Sequence, residues 1–350
     1  MKHLQKLTAL ALAVLMSLAV LTACGKDSGG ASGSAAGSGS SSAAGSAFTG
    51  TFTPADYRIA ALKGPTAMGL VKLMSDSDSG AATKNQYTFN IAASADEITP
   101  ALIKGDLDIA CVPANLASVL YNKTKGGVQV LAVNTLGVLD IVENGNAVQS
   151  IADLKGKTIV AAGKGSTPEY ALRYLLKANG INPDTDVTID WKSEHSECVS
   201  ALASGAATIA LLPQPFVTVA QTKISNLRIA LDLTKEWDAL NSGSALLTGV
   251  VVARTAAVKE NPGAINAFLE EYADSVQWVN ANVADAAKLV GNYNIVDAAV
   301  AEKAIPNCNI VCITGSEMKD KLSGYLSVLN DQNPQSVGGT LPNDDFYYGA

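Results

Sequence analysis

Apolar residues recur along this chain in short runs separated by amphipathic stretches, and the alternation becomes regular from about residue 55. The run over 57–62 predicts a strand that stops at Gly64 and Pro65. Ala67, Leu70, Val71 and Met74 then fall at i, i+3, i+4 and i+7, one face of a helix. Strands are predicted over 87–93, 107–112 and 128–134, with helices over 98–104 and 116–121 between them. The pattern then starts again, with strands over 158–162, 187–191, 208–212 and 227–231. Strands alternating with helices at this spacing predict mainly parallel sheets flanked by helices on both faces, an α/β fold. Ile109-Ala110-Cys111-Val112 has the continuous apolar character that double burial requires. One more strand is predicted over 246–253, then helices over 264–279, 283–290, 297–304 and 317–329. That tail has no strand-rich unit of its own and is expected to pack back on the first unit.

The restart is an internal repeat. Ala101-Leu102, Gly105, Ile109-Ala110 and Pro113 match Ala201-Leu202, Gly205, Ile209-Ala210 and Pro213. Upstream, Ala60, Ala61, Lys63-Gly64 and Thr66 match Ala161, Ala162, Lys164-Gly165 and Thr167 with a one-residue slip. The predicted bridges between the two units lie over 137–144 and 244–253. One lobe is expected to comprise residues 55–140 plus 248–350, and the other residues 141–247.

The first fifty residues read differently. Lys2 and Lys6 precede an apolar run over 7–20, too short to span a bilayer, and Ala23-Cys24 follows. This is the pattern of a secretory signal peptide over 1–23. The cysteine at the cut resembles a bacterial lipobox, which implies lipidation of Cys24. Residues 24–54 are mostly Gly, Ser and Ala, a flexible tether with a reach of roughly 25–30 Å. The expected location is the outer face of the cell membrane, held by the lipid on Cys24.

Composition narrows the function classes. With 48% hydrophobic and 16% charged residues among 350, the body has ample apolar content to fold. A net charge of −7, which becomes −9 once Lys2 and Lys6 are removed, argues against nucleic acid as a partner. Five cysteines are too few for a disulfide scaffold. A bridge between Cys308 and Cys312 is chemically allowed outside the cytoplasm, but spacing alone does not set their Cα separation. Only His3 and His195 could supply imidazole, so no metal site, catalytic residue or cofactor is expected.

Ligands of parallel α/β sheets sit beyond the carboxyl ends of the strands, where helix N-termini offer free N–H groups. The repeat therefore predicts matching loops. The first is Lys63-Gly64-Pro65-Thr66-Ala67, and its counterpart is Gly165-Ser166-Thr167 after Lys164. Ser166 and Glu169 have the spacing of a capping box. Ser94, Asn115, His195 and Gln214 follow the remaining strands and complete the candidate ligand set. Asn115 and Gln214 can both donate and accept, which suits neutral or anionic polar ligands. Lys63 and Lys164 stand at equivalent places and would suit an anion, although solvent-facing lysines at loop edges are the commoner case.

Several phrases resemble the type II periplasmic-binding fold, and within it the nitrate, sulfonate, taurine and thiamine-precursor group of ABC-transporter substrate-binding proteins. They are IADLKGK over 151–157, GKGSTPE over 163–169, ALASGAATIALLPQPF over 201–216, TGVVVA over 248–253 and KENPGAI over 259–265. Gln214 stands where that group usually carries Glu. The resemblance implies a two-lobed monomer with two hinge crossings and a cleft that closes on one small ligand. It implies as partners a permease and its ATPase. It leaves open an enzyme on the same fold, of the kind serving menaquinone or pyrimidine biosynthesis, or a sensing lobe for a membrane receptor.

Overall fold

A computed structural model describes residues 52–350. The expected signal peptide, Cys24 and the tether before Phe52 lie outside the described residues. The chain builds β1 (Asp56–Leu62), α1 (Pro65–Met68), α2 (Val71–Asp78), β2 (Gln86–Ala92), α3 (Ala95–Lys104), β3 (Ile109–Pro113), α4 (Ala114–Thr124) and β4 (Val128–Leu136). It continues with β5 (Leu139–Glu143), β6 (Thr158–Ala162), α5 (Thr167–Ala178), β7 (Thr188–Lys192), α6 (His195–Ala203), β8 (Ile209–Pro213), α7 (Phe216–Lys223), β9 (Arg228–Asp232) and α8 (Leu233–Asp238). Then come β10 (Leu247–Arg254), α9 (Thr255–Glu260), α10 (Pro262–Ala281), α11 (Val283–Asn292), α12 (Ala298–Ala304), β11 (Ile310–Ile313) and α13 (Gly315–Gln332).

The strands form two sheets, in the orders β11-β4-β10-β3-β1-β2 and β7-β6-β8-β5-β9. The repeat is visible in the register. Ala60 pairs with Ala110 and Asn90, and Val160 pairs with Ala210 and Asp190, a constant offset of one hundred. The expected match of Ala60 with Ala161 is therefore displaced by one position in the strands. The slip falls afterwards, because Lys63 and Gly64 alone separate β1 from α1, whereas residues 163–166 separate β6 from α5.

The parallel part of each sheet is a three-strand block, β2-β1-β3 or β7-β6-β8. The remaining pairs are antiparallel, yet β4 and β9 are each reversed twice and run with the block, so four of six strands and four of five share one direction, as the expectation of mainly parallel sheets requires. The antiparallel pairs arise from the crossover. β5 follows β4 after Gly137 and Val138, and β10 follows β9 through α8, so each enters its sheet from the other lobe. A strand arriving at the carboxyl ends of a parallel block has only the reverse direction open to it. Leu139 and Asp140 accordingly pair with Pro213 and Leu212, and Gly249 pairs with Pro113.

One core runs through both lobes. It joins Ala110, Val112 and Leu120 on one side to Ile159, Leu172 and Leu211 on the other, with Leu322, Tyr325, Leu326 and Leu329 of α13 between them. Within the tail, α10, α11 and α12 cover the six-stranded sheet, and α12 also packs against α7 of the five-stranded lobe. α13 lies against α4, β4 and α5 and so likewise touches both lobes. The tail also supplies β11, an edge strand beside β4 that is too short to announce itself in the sequence. Cys308 and Cys312 are free thiols.

Candidate functional site

The loop after β1 is held from its own lobe. The Lys63 N–H donates to the Ala92 carbonyl at 3.0 Å, tying the ends of β1 and β2 together. Gly64 adopts φ 125°, ψ −159°, which a side chain disfavours, and Pro65 starts α1 with its φ already set. Thr66 is buried, and its Oγ1 donates to the Leu62 carbonyl at 3.0 Å. The carbonyl of Thr66 accepts from Asn134 Nδ2 at 3.3 Å. Ala67 is fully buried and contributes packing and backbone. Lys63 is exposed.

Gly249 on β10 makes this loop possible. A Cβ there would stand 2.4 Å from Thr66 Cγ2 and 2.5 Å from Asn134 Oδ1. Gly249, Asn134 and Thr248 belong to the site region and were missed in the sequence. A glycine inside an apolar strand was the available signal, since it marks close approach of another group.

The counterpart loop after β6 is held from outside. Thr167, 4% exposed, shares a 2.9 Å hydrogen bond with Tyr325 of α13. Ser166 Oγ donates to the Gly163 carbonyl at 2.7 Å, and Glu169 Oε2 accepts from the Gly165 N–H at 2.7 Å. The expected capping box at Ser166 and Glu169 is therefore not formed. The Ser166 N–H already goes to Gly163, so Glu169 takes the donor one residue earlier. The box forms instead at Ser94 and Glu97, which occupies the Ser94 side chain expected to meet a ligand. Lys164 is exposed and lines a groove of about 710 Å³ beside Tyr170, Arg173, Trp191 and Gln332.

The other strand ends carry the polar side chains. Asn115, 7% exposed, is the second residue of α4, and its Nδ2 donates to the Ser336 carbonyl at 3.2 Å. Gln214, 3% exposed, donates its N–H to Val138 in the first crossing and accepts at Oε1 from Thr218. His195 opens α6, with its ring 5.2 Å from that of Phe216 at the start of α7. Burial lowers its pKa to about 4, so the imidazole is neutral at ordinary pH. Cys198 does not make a catalytic pair with it. Burial pushes that thiol up to about 11, and it donates to the Glu194 carbonyl.

Three buried polar atoms in this region have no partner: Asn115 Oδ1, His195 Nδ1 and Thr248 Oγ1. Thr248 sits where the register of β10 against β4 shifts, a bulge in the crossing strand. Native proteins pair nearly all buried polar atoms, so three orphans at the strand ends of both lobes suit a bound molecule. On one flank the lobes meet through Thr167 and Tyr325, and on another α12 packs against α7. Among the described residues, no group of three or more His, Cys, Asp or Glu is placed to hold a metal ion.

Residues 80–274 match the family model described as an ABC transporter, phosphonate, periplasmic substrate-binding protein. The chain belongs to that family. A Brucella abortus protein, provisionally named a binding protein, is 26% identical over 236 residues, covering 66% of this chain and 70% of its own. An ABC transporter structure from Parabacteroides distasonis superposes with TM-score 0.70 and 23% identity, covering 83% of this chain and 98% of the other. The periplasmic aliphatic sulphonate binding protein SsuA of Escherichia coli superposes with TM-score 0.66 and 16% identity, covering 82% and 96%. At these identities the two structures speak for the fold alone, and that fold is the two-lobed one with two crossings.

One of the two crossings carries an unforeseen acid. Asp140, the second residue of β5, is buried and faces Asp232 across the ladder. Burial first, and then the charge of Asp232, raises its pKa to about 7, while Lys235 opposes the rise. Asp232 itself caps α8, accepting from Thr234 and Lys235. Nothing in the sequence distinguished Asp140 from a solvent-facing acid.

Proposed function

We propose that this family member is a membrane-tethered extracytoplasmic receptor of an ABC importer. It captures a small polar or anionic organic molecule between the lobes and delivers it to a permease driven by an ATPase. The observation that carries the reading is the set of unpartnered buried atoms, Asn115 Oδ1, His195 Nδ1 and Thr248 Oγ1, at the ends of strands from both lobes. The starts of α4, α5 and α7 have no side chain closing their N–H groups, which favours a ligand rich in acceptors. A ligand touching both lobes binds the closed state better than the open one, so its differential affinity drives closure. The apolar run, the lipobox cysteine and the Gly/Ser/Ala tether support anchoring through Cys24 and an extracytoplasmic location. A monomer suffices, since each chain brings both lobes.

The test is to denature the purified protein, identify released small molecules by mass spectrometry and titrate the recovered compound back by calorimetry. Wild type should bind one molecule per chain. Gln214→Leu and Thr167→Val should each weaken binding at least tenfold. Chemical conversion of the compound would favour an enzyme. Recovery of no compound, with no heat from sulfonates, phosphonates or pyrimidines, would sink the receptor reading. If Lys63→Ala with Lys164→Ala leaves affinity unchanged, the two lysines are solvent-facing and do not select an anion.

A further inference from the structure

The hydrogen-bond polarity of the strand-end side chains limits what the cleft can hold. Asn115 cannot turn its amide over. Its Nδ2 faces the Ser336 carbonyl, which only accepts, so Oδ1 is fixed on the opposite side. The orientation is reinforced along the same face of α4. Ser118 Oγ donates to the Val337 carbonyl at 2.7 Å, and Asn122 Nδ2 donates to the Val337 and Thr340 carbonyls at 2.8 and 2.7 Å. Three donors on one helix face thus grip the segment after α13 and hold Asn115 in one pose. What remains is a buried acceptor, in a residue 7% exposed, with no donor to meet it. In the counterpart position after β8 the amide is not fixed in this way. The Gln214 amide meets the Thr218 hydroxyl at 2.8 Å, and because a hydroxyl both donates and accepts, the other end of that amide can offer a ligand either a donor or an acceptor.

We propose that the ligand donates a hydrogen bond to Asn115 Oδ1 and pairs with the free end of the Gln214 amide. The site then takes molecules that carry an N–H or O–H donor, such as an amino-substituted heterocycle, an amide or a protonated phosphonate. It discriminates against oxyanions that only accept, such as a simple sulfonate or nitrate. An acceptor-only anion would set its oxygen against Asn115 Oδ1 and leave a buried atom repelled as well as unpaired. This inference rests on the reading of the cleft as the ligand site.

The experiment compares wild type, Asn115→Asp and Asn115→Leu by calorimetry against 4-aminopyrimidine, methylphosphonate and methanesulfonate. Both substitutions lose the bond to Ser336, and only the aspartate keeps an acceptor, so their difference read with the neutral probe 4-aminopyrimidine reports on the acceptor. Melting temperatures of the three proteins show whether each is folded. At least one donor-bearing probe should bind wild type at least tenfold tighter than methanesulfonate. Methylphosphonate should weaken as rising pH removes its second proton. Asn115→Asp should retain 4-aminopyrimidine at least tenfold better than Asn115→Leu. Methanesulfonate binding as tightly as the other probes, with no loss in Asn115→Leu, overturns the donor requirement and leaves the cleft reading intact. Binding of none of the probes by any variant overturns both.

Discussion

The two crossing strands occupy the same place in their sheets and are built from opposite chemistry. In the six-stranded sheet Val250 of β10 pairs with Val112 and Val133. In the five-stranded sheet the equivalent position of β5 is Asp140, which pairs with Leu212 and Asp232. The preceding residues are Gly249 and Leu139, facing Pro113 and Pro213. Both crossings hold a glycine where no Cβ fits, Gly137 against Thr234 and Gly249 against Thr66, but β10 is apolar at the paired position whereas β5 carries a buried carboxyl. The supports differ as well. The first crossing is two residues long, while the second is anchored by Trp237 of α8, fully buried between Tyr174 and Tyr325 at 4.4 and 5.9 Å and donating to Ser244 Oγ. A shared topology therefore leaves each lobe free to choose how its half of the hinge is held.

The largest test of that difference is Trp237→Ala, which empties the anchor of the second crossing. It should cost about 3–5 kcal/mol in chemical denaturation. A loss below about 1 kcal/mol would show that α8 does not hold the crossing. Next is Gly249→Val, which drives a side chain into Thr66 and Asn134 and should cost about 1–3 kcal/mol. Gly165→Ala, whose Cβ meets no neighbour within 4 Å but whose φ is 78°, should cost less. If the two glycines tolerate substitution equally, the close packing assigned to Gly249 in the second crossing is wrong.

The acid in β5 predicts a pH effect. The pKa of Asp140 is raised to about 7 in the fold, above the ordinary value of a carboxyl in an unfolded chain. Between about pH 4 and pH 7 the native state keeps a proton that the unfolded state has released. The contribution of this group is therefore complete at low pH and is lost as pH rises through about 7. Asp140→Asn should flatten that slope and melt higher than wild type at pH 8. Identical melting profiles from pH 4 to pH 8 would contradict the assignment. The smallest effect is expected from Tyr325→Phe, which removes the bond to Thr167 and should cost about 1 kcal/mol. Thr66→Val, which loses the bond to Leu62, should cost a similar amount. Only the tyrosine change should also alter ligand affinity if α13 ties the second loop to the first lobe.

The fold was legible where periodicity was strong. β6 lies over the residues its apolar run predicted, and α3 and α6 begin one hundred residues apart, as the repeat required. β5 was hidden because LDIVE follows β4 almost without a break and reads as hinge. The site was less legible. Ser94 and Ser166 each stand three residues before a glutamate, yet only Ser94 forms the box. Which serine does so depends on where the neighbouring N–H already points, and the motif does not contain that information.

The sequence by itself determined the alternation of strands and helices, the duplication and the loops at the carboxyl ends of the strands. These follow from local periodicity and from chain direction, both written in the order of residues. Only the tertiary structure decided that Thr66 is held by its own lobe, whereas Thr167 is held by a tyrosine 158 residues further along the chain. Only it decided that Asp140 is buried against Asp232 and that Asn115 keeps one free acceptor. Burial and hydrogen-bond partnership are properties of what arrives from elsewhere in the chain, and no local pattern specifies them.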